Sequence, residues 1–317
     1  MSAILMEGAV ISDLKERLDG LGCELRFGEP LSAYTTFQVG GPADVLALPR
    51  DESELEELVE RCRSEGLGST VLGGGANTLV RDGGVRGVVI SLSRGFRQIK
   101  LRDEPGDITQ IESGAGVKIP ALVRFAAVGG WGGLECLSGV PGTVGGALAM
   151  NAGTGKEFIG DSVERIRWIR FSRGGVERFS AGEIRFSYRN ALFPEPGIVV
   201  GVCFSVARED SEKLRTLLQI DAKARRERQP WGMPCAGSIF RNPAGDFAGR
   251  LIESAGLKGR RIGGAEVSKV HGNFIVNRGG AKAADVLSLI DEIRAEVERK
   301  SHTNLKLELK VIGDEAI

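Results

Sequence analysis

Histidine is almost missing from this chain of 317 residues: only His271 and His302 occur, so the stretch before position 271 has none. A Ser-His-Asp triad or a histidine-rich metal site is therefore confined to the C-terminal end or absent. Cysteine is sparse too. The five present (Cys23, Cys62, Cys136, Cys203 and Cys235) are odd in number, widely spaced and form no CxxC pair. That pattern argues against a disulfide framework or a zinc site and for reduced thiols in a cytosolic, cytoplasmic setting. Charge excess is lacking: 42 Lys and Arg balance 42 Asp and Glu, which leaves no electrostatic footprint for nucleic acid or an anionic membrane. No apolar run reaches the ~18 residues of a membrane-spanning helix. The opening MSAILMEGAVISDLKERL has no basic n-region and does not read as a signal peptide. No internal repeat or low-complexity tract is evident.

Glycine is what the chain has in quantity, 46 residues of it. It is densest from Gly133 to Gly155, GLECLSGVPGTVGGALAMNAGTG, where Glu135 is the lone charge. A helix would not tolerate this density, since each glycine costs about 1 kcal/mol against alanine. Bare N–H groups and access to positive φ are what such a segment offers, and both suit an anion lying on the main chain. Close packing at a crossover between layers is the plainer explanation. A second loop, Gly73-Gly74-Gly75-Ala76-Asn77-Thr78, follows the strand STVLG. Neither loop has the GxGxxG or GxxxxGK[ST] spacing. Glycine at 139, 142, 145 and 146, with Pro141 fixing a turn, suits a backbone laid along an extended pyrophosphate. The residues alone thus point to a nucleotide or dinucleotide cofactor held outside a Rossmann frame.

Hydrophobic spacing organises the remainder. Val10, Leu14 and Leu18 predict a helix over 9–20. Asp51 reads as the cap of a helix with Leu55, Leu58 and Cys62 inward and Glu54 at the capping-box position. RQIKL and ITQIESGAG predict an antiparallel pair, SVERIRWIRF and GVERFS a hairpin, and GIVVGVCFSV a buried strand. Residues 118–129 and 211–228 read as helices, as does FAGRLIESAG up to Gly256. A long helix from Ala281 to Lys300 carries Val286, Leu289, Ile290, Ile293 and Val297 as its stripe. NLKLELKVIG alternates as a final strand. The composition shift near 207 places a domain boundary there, with 1–206 and 207–317 as the two parts.

Four polar residues stand out, each with an ordinary structural explanation. Ser238 lies among small residues that would admit a substrate to its hydroxyl, or it caps a turn. Arg189 follows Tyr188 and would ordinarily be solvated or ion-paired. Glu308 sits on the polar side of the last strand. His271, in VSKVHGNFIVN, reads as a core-edge histidine bonded to backbone.

Taken together, the motifs TTFQVGGPAD (35–44), GGGANTLV (73–80), GLECLSGVPGTVGGALAMNAG (133–153), FSYRNALF (186–193), GSIFRNP (237–243), GRLIESAGLKG (249–259), HGNFIVN (271–277) and LELKVIG (307–313) resemble the UDP-N-acetylenolpyruvoylglucosamine reductase family, from Thr35 to Gly313. The resemblance implies an α+β fold: a bipartite FAD-binding region of the vanillyl-alcohol-oxidase type plus a smaller α+β substrate-binding domain. It implies noncovalent FAD on Gly73, Gly74, Gly75, Asn77, Thr78, Gly139, Gly142, Gly145, Gly146 and Asn151. NADPH would reduce the flavin, and the enolpyruvyl ether of UDP-N-acetylglucosamine enolpyruvate would then be reduced to UDP-N-acetylmuramate for peptidoglycan. Ser238 matches the family's proton donor, and Arg189 and Glu308 match the groups that steady the substrate carboxylate. Arg228 and Asn242 match substrate contacts. No metal, nucleic acid, membrane or obligate protein partner is expected.

Three departures accompany the match: Ala76 and Ala191 stand where serine is usual, and Cys235 occupies a frequent serine position. Only Pro194-Glu195-Pro196 separates Phe193 from Gly197, so the inserted segment of the family's longer subclass has no counterpart. The rival readings are an FAD-linked oxidase of an alcohol or sugar and a non-enzymatic nucleotide-binding module.

Overall fold

The structure is a computed structural model that describes residues 2–104, 108–154 and 157–316, so Gly155, the end of the glycine-rich stretch, lies outside the described residues. The chain divides into two compact units. One comprises residues 1–27, 44–74 and 87–222; the other comprises 28–43, 75–86 and 223–317. The expected boundary at 206/207 differs from this division twice over: helix residues up to 222 stay with the first unit, and two N-terminal segments join the second. Each unit has its own hydrophobic core.

The first unit holds most of a four-stranded sheet, ordered Glu24–Pro30, Pro42–Leu48, Val85–Ile90, Ser69–Val71. The helix Glu52–Ser64 turns Leu55, Leu58, Val59 and Cys62 inward. Asp51 caps it by accepting the Glu54 N–H at 2.9 Å. Glu54 does not return the bond to Asp51 but accepts the Arg50 N–H at 2.8 Å, one residue earlier than a capping box requires. At the N-terminus the helix runs Ser2–Arg17, with Leu14 and Leu18 buried and Val10 45% exposed.

The same unit carries the main antiparallel sheet, ordered Val176–Ser180, Val163–Arg170, Gly197–Arg208, Ile108–Gly114, Ile99–Glu104, with Trp131–Gly132 added to the third strand. Both predicted antiparallel pairs are present. Gly197–Arg208 is the buried central strand, since its Ile198, Val200, Val202 and Phe204 pack inward. The helix Ile119–Gly129 covers this core with Ile119, Leu122, Val123 and Ala126.

In the second unit, the helix Ala283–Ser301 buries all five residues of the predicted stripe. It packs with the helix Ala248–Ser254 and the three-stranded sheet Arg261–Ile262, Ala265–Val267, Ile275–Asn277. Thr78–Val80 pairs in parallel with Lys310–Ile312. Regular strand structure at the C-terminal end is confined to those three residues, although Leu305 and Leu309 are buried as the alternation predicts.

Candidate active site

In the first unit the two glycine loops meet. A Cβ on Gly74 would lie 2.7 Å from the Gly142 Cα, and one on Gly73 would lie 3.0 Å from the Thr143 Oγ1. Gly142 itself has φ 94°, a region glycine alone adopts freely. The ribbon beyond it is pinned to the main sheet: the Gly145 N–H donates to the Ala115 carbonyl and the Val144 N–H to the Val117 carbonyl, both at 2.9 Å. A side chain at Gly145 would meet the Ala115 Cβ at 3.0 Å, whereas at Gly146 only the Thr143 hydroxyl lies close, at 3.5 Å. Gly139, φ 66°, is exposed. At Gly73, Gly74 and Gly145 glycine serves this close packing; Gly139 and Gly146 are the positions that leave bare backbone on which an anionic group could rest.

The remaining residues of the first loop belong to the second unit. Gly75, φ 60°, fits tightly there, because a Cβ would lie 2.2 Å from the Tyr34 carbonyl oxygen. Asn77 donates from Nδ2 to the Glu308 carbonyl at 3.0 Å, and its own carbonyl accepts the Lys310 N–H at 3.1 Å. Thr78 starts the strand that pairs with Lys310. Asn77 and Thr78 thus brace the C-terminal strand, while Gly75 packs on the Tyr34-Thr35 backbone.

Asn151 is buried at 3% exposure with φ 41°. Its Nδ2 donates to the Ser187 carbonyl at 3.0 Å and its Oδ1 accepts the Gly160 N–H at 3.1 Å. Ser187 ends the first arm of a hairpin, Arg185–Ser187 with Asn190–Leu192, whose turn is Tyr188-Arg189. Arg189 has φ 56°. A non-glycine residue in that region is uncommon and is held there by its surroundings. Its Nη1 donates to the Gly153 carbonyl at 3.3 Å and its guanidinium lies 5.2 Å from the Tyr188 ring centre. The glycine-rich stretch therefore does two things: it forms the ribbon, and through Asn151 and Gly153 it seats the Arg189 turn. Ala191, opposite Phe186 in this hairpin, is half-buried.

In the second unit Ser238 and Glu308 are joined through main chain. The Ile239 carbonyl accepts the Glu308 N–H at 2.8 Å and the Leu309 N–H at 3.2 Å. Gly237, φ 71°, lets the chain turn immediately before Ser238. The next two residues are fixed by Asn273, which sequence reasoning missed. Its carbonyl accepts the Ile239 N–H at 2.9 Å, its Oδ1 accepts the Phe240 N–H at 2.9 Å, and its Nδ2 donates to the Phe240 carbonyl at 2.8 Å. Phe240 is fully buried and Asn273 is 4% exposed. An asparagine inside the apolar run of HGNFIVN was the available signal, because a buried carboxamide needs partners. Its own N–H donates to the His271 Nδ1 at 3.1 Å, and burial holds the His271 pKa below its ordinary value. Ser238 and Glu308 are both half-buried, and among the described residues nothing hydrogen-bonds the Ser238 hydroxyl. Burial raises the Cys235 thiol pKa, and the Cys235 carbonyl accepts the Thr36 hydroxyl at 2.6 Å.

Arg228 ends the helix Ser211–Arg228 with an exposed side chain. Asn242 is exposed, and its Oδ1 accepts the Ala248 N–H at 3.1 Å, at the start of the helix Ala248–Ser254. Among the described residues no group of His, Cys, Asp and Glu could hold a metal ion, and no helix is long and apolar enough to cross a membrane.

Residues 43–178 match an FAD binding domain, which puts the chain in a flavoprotein class. Residues 229–312 match the C-terminal domain of UDP-N-acetylenolpyruvoylglucosamine reductase. Reductases of that name from Desulfosudis oleivorans and Moorella thermoacetica are 41% and 43% identical to the chain, covering 91% and 93% of it and 95% of each relative. The crystal structure of the reductase from Thermus caldophilus superposes with a TM-score of 0.76 at 37% identity, covering 91% of this chain and 98% of that one. The chain belongs to the UDP-N-acetylenolpyruvoylglucosamine reductase family and is an FAD-dependent oxidoreductase. Its fold class is the expected α+β one, an FAD-binding region with a further α+β domain.

Proposed function

We propose that this enzyme reduces the enolpyruvyl ether of UDP-N-acetylglucosamine enolpyruvate to UDP-N-acetylmuramate, with NADPH as the reductant, in cytoplasmic peptidoglycan precursor synthesis. The observation that carries the reading is the main-chain coupling of Ser238 to Glu308 under the Asn273 clamp. Bound FAD would supply two-electron hydride chemistry between NADPH and C3 of the enolpyruvyl group. No histidine precedes position 271, which supports a noncovalently held flavin. The cradle glycines, Gly73, Gly74, Gly139, Gly142, Gly145 and Gly146, would hold its pyrophosphate, while Asn77 and Thr78 brace the C-terminal strand and Asn151 seats the Arg189 turn.

Hydride at C3 leaves negative charge at C2 that spreads into the carboxylate. A fixed cation aimed at that carboxylate stabilises it, and such electrostatic assistance is usually the largest catalytic contribution. Arg189 supplies the cation, held in its turn by Asn151 and Gly153. Glu308 steadies the substrate carboxylate through a shared proton, since two bare carboxylates repel. The Ser238 hydroxyl gives its proton to C2; a weak acid suffices because the carbon it meets is strongly basic. Arg228 and Asn242 contact the uridine diphosphate part of the substrate. On this reading the first unit supplies the cofactor cradle and Arg189, and the second supplies Ser238, Glu308, Arg228 and Asn242. The buried, unpaired thiols Cys23, Cys62, Cys136 and Cys203 support a reducing, cytoplasmic setting.

Anaerobic flavin absorbance tests the assignment. NADPH should bleach the bound flavin, and UDP-N-acetylglucosamine enolpyruvate should restore its colour without oxygen. Colour that returns only with oxygen would mean an oxidase instead.

A further inference from the structure

The outward face of the main antiparallel sheet encloses a cavity of about 430 Å³, lined by none of the residues assigned to cofactor or substrate. Five of its lining residues are cations, Lys100, Arg102, Arg165, Arg167 and Arg178, against one carboxylate, Glu112. Strand alternation explains the placement. Ile166 and Trp168 turn into the core, so Arg165 and Arg167 turn out.

The pairing is unusual. Arg167 and Arg178 are direct cross-strand partners, and like charges in that position repel and destabilise a sheet. The Arg167 Nη1 reaches the Glu52 carboxylate, the Arg102 Nε reaches Glu112 at 2.9 Å, and the Arg165 Nη2 donates to the Gln110 Oε1 at 2.8 Å. The Arg165 Nε also lies 3.8 Å from Glu164, and Lys100 stands directly across from Glu112 on the neighbouring strand; Arg178 makes no ion pair among the described residues. The floor is bare backbone: a Cβ on Gly201 would lie 2.8 Å from the Arg167 Nη2 and 2.9 Å from its Nε, so the guanidinium rests where a side chain would stand. Glycine in a central strand weakens it, and here it makes room for the cation.

The cations form two groups, Arg165, Arg167 and Arg178 near one edge and Lys100 and Arg102 at the other. Four inter-strand spacings separate the edge strands, roughly 19 Å. One phosphate reaches one group; a chain of phosphates reaches toward both. Guanidinium forks bind phosphate oxygens in pairs. We propose that this face is a second binding site, for a phosphate chain, either inorganic or carried by a nucleotide.

Calorimetric titration of the FAD-loaded enzyme, saturated with UDP-N-acetylmuramate to close the substrate site, tests this. Inorganic tripolyphosphate should bind at one saturable site, at least about tenfold more tightly than orthophosphate. ATP binding as tightly as tripolyphosphate assigns the site to nucleotides; weaker ATP binding assigns it to the inorganic chain. Arg178→Ala, which removes an exposed side chain, should weaken tripolyphosphate about tenfold or more and leave turnover unchanged. Arg178→Glu should abolish binding. Arg215→Ala, which removes an exposed cation of the helix Ser211–Arg228, should leave it intact. Heat that never saturates, or equal weakening by Arg215→Ala and Arg178→Ala, would overturn the proposal.

Discussion

Asn77, Asn151 and Asn242 each use the side-chain carboxamide on the protein's own main chain: a carbonyl for Asn77, a carbonyl and an amide for Asn151, a helix amide for Asn242. A carboxamide carries the donor and acceptor of a peptide group, so it can brace a loop as readily as hold a ligand. The sequence marks these residues by their glycine-rich or polar neighbours but hides their partners, since Glu308 lies 231 positions from Asn77 and Ser187 lies 36 from Asn151. Asn273 belongs to the same group and has the most to hold. His271 behind it carries a pH dependence. Its ring packs against Gly249 and Phe274, with Glu253 and Lys258 as its charged neighbours. Burial is the largest influence and holds its folded pKa below the ordinary 6.5. The unfolded chain therefore binds a proton that the folded one refuses, and stability is lost as pH falls from 6.5 through the folded value. Urea unfolding at a series of pH values should show the stability advantage of the parent over His271→Gln shrinking toward acid. An advantage that does not change with pH would contradict this.

At the scale of elements, the Arg185–Leu192 hairpin concentrates strain where the proposed chemistry needs a fixed cation. Arg189 holds φ 56°, a conformation that costs a residue with a Cβ about 1 kcal/mol or more. Arg189→Gly should therefore unfold at higher denaturant than Arg189→Ala, by roughly 1 kcal/mol, with both lacking reductase activity. Equal stability of the two would mean the turn is not strained. The hairpin was invisible as an element, because SYRN has none of the Asn-Gly or Asp-Gly signals of a tight turn. Helices were far more legible. Ser211–Arg228 has the predicted ends, and Ala283–Ser301 shifts by two residues at its start and one at its end. The last strand was legible in its alternation but not in its extent. Leu307 meets Phe240 at an isolated bridge, where an irregular segment tied to Asn273 offers no continuous ladder.

For the whole molecule, local pattern reveals that there are two parts and misses how the chain is shared between them. Phe37, Val39 and Leu79 are buried in the core of the second unit together with Ile290 and Leu309. Thr78–Val80 pairs in parallel with Lys310–Ile312, and so distant a pairing leaves no periodic trace. The glycine-rich ribbon was legible because glycine density is a local property; the clamp on Ser238 and Glu308 was not, because it joins residues 239, 273 and 308 through main chain. That clamp bears the central claim, that Ser238 is held as the proton donor of the second half-reaction. The direct measurement is anaerobic stopped-flow absorbance of Ser238→Ala, with the two half-reactions followed separately. Flavin reduction by NADPH should proceed near the parent rate, while reoxidation by UDP-N-acetylglucosamine enolpyruvate should slow by roughly 10²–10⁴-fold. Equal slowing of both half-reactions, or of neither, would contradict the account.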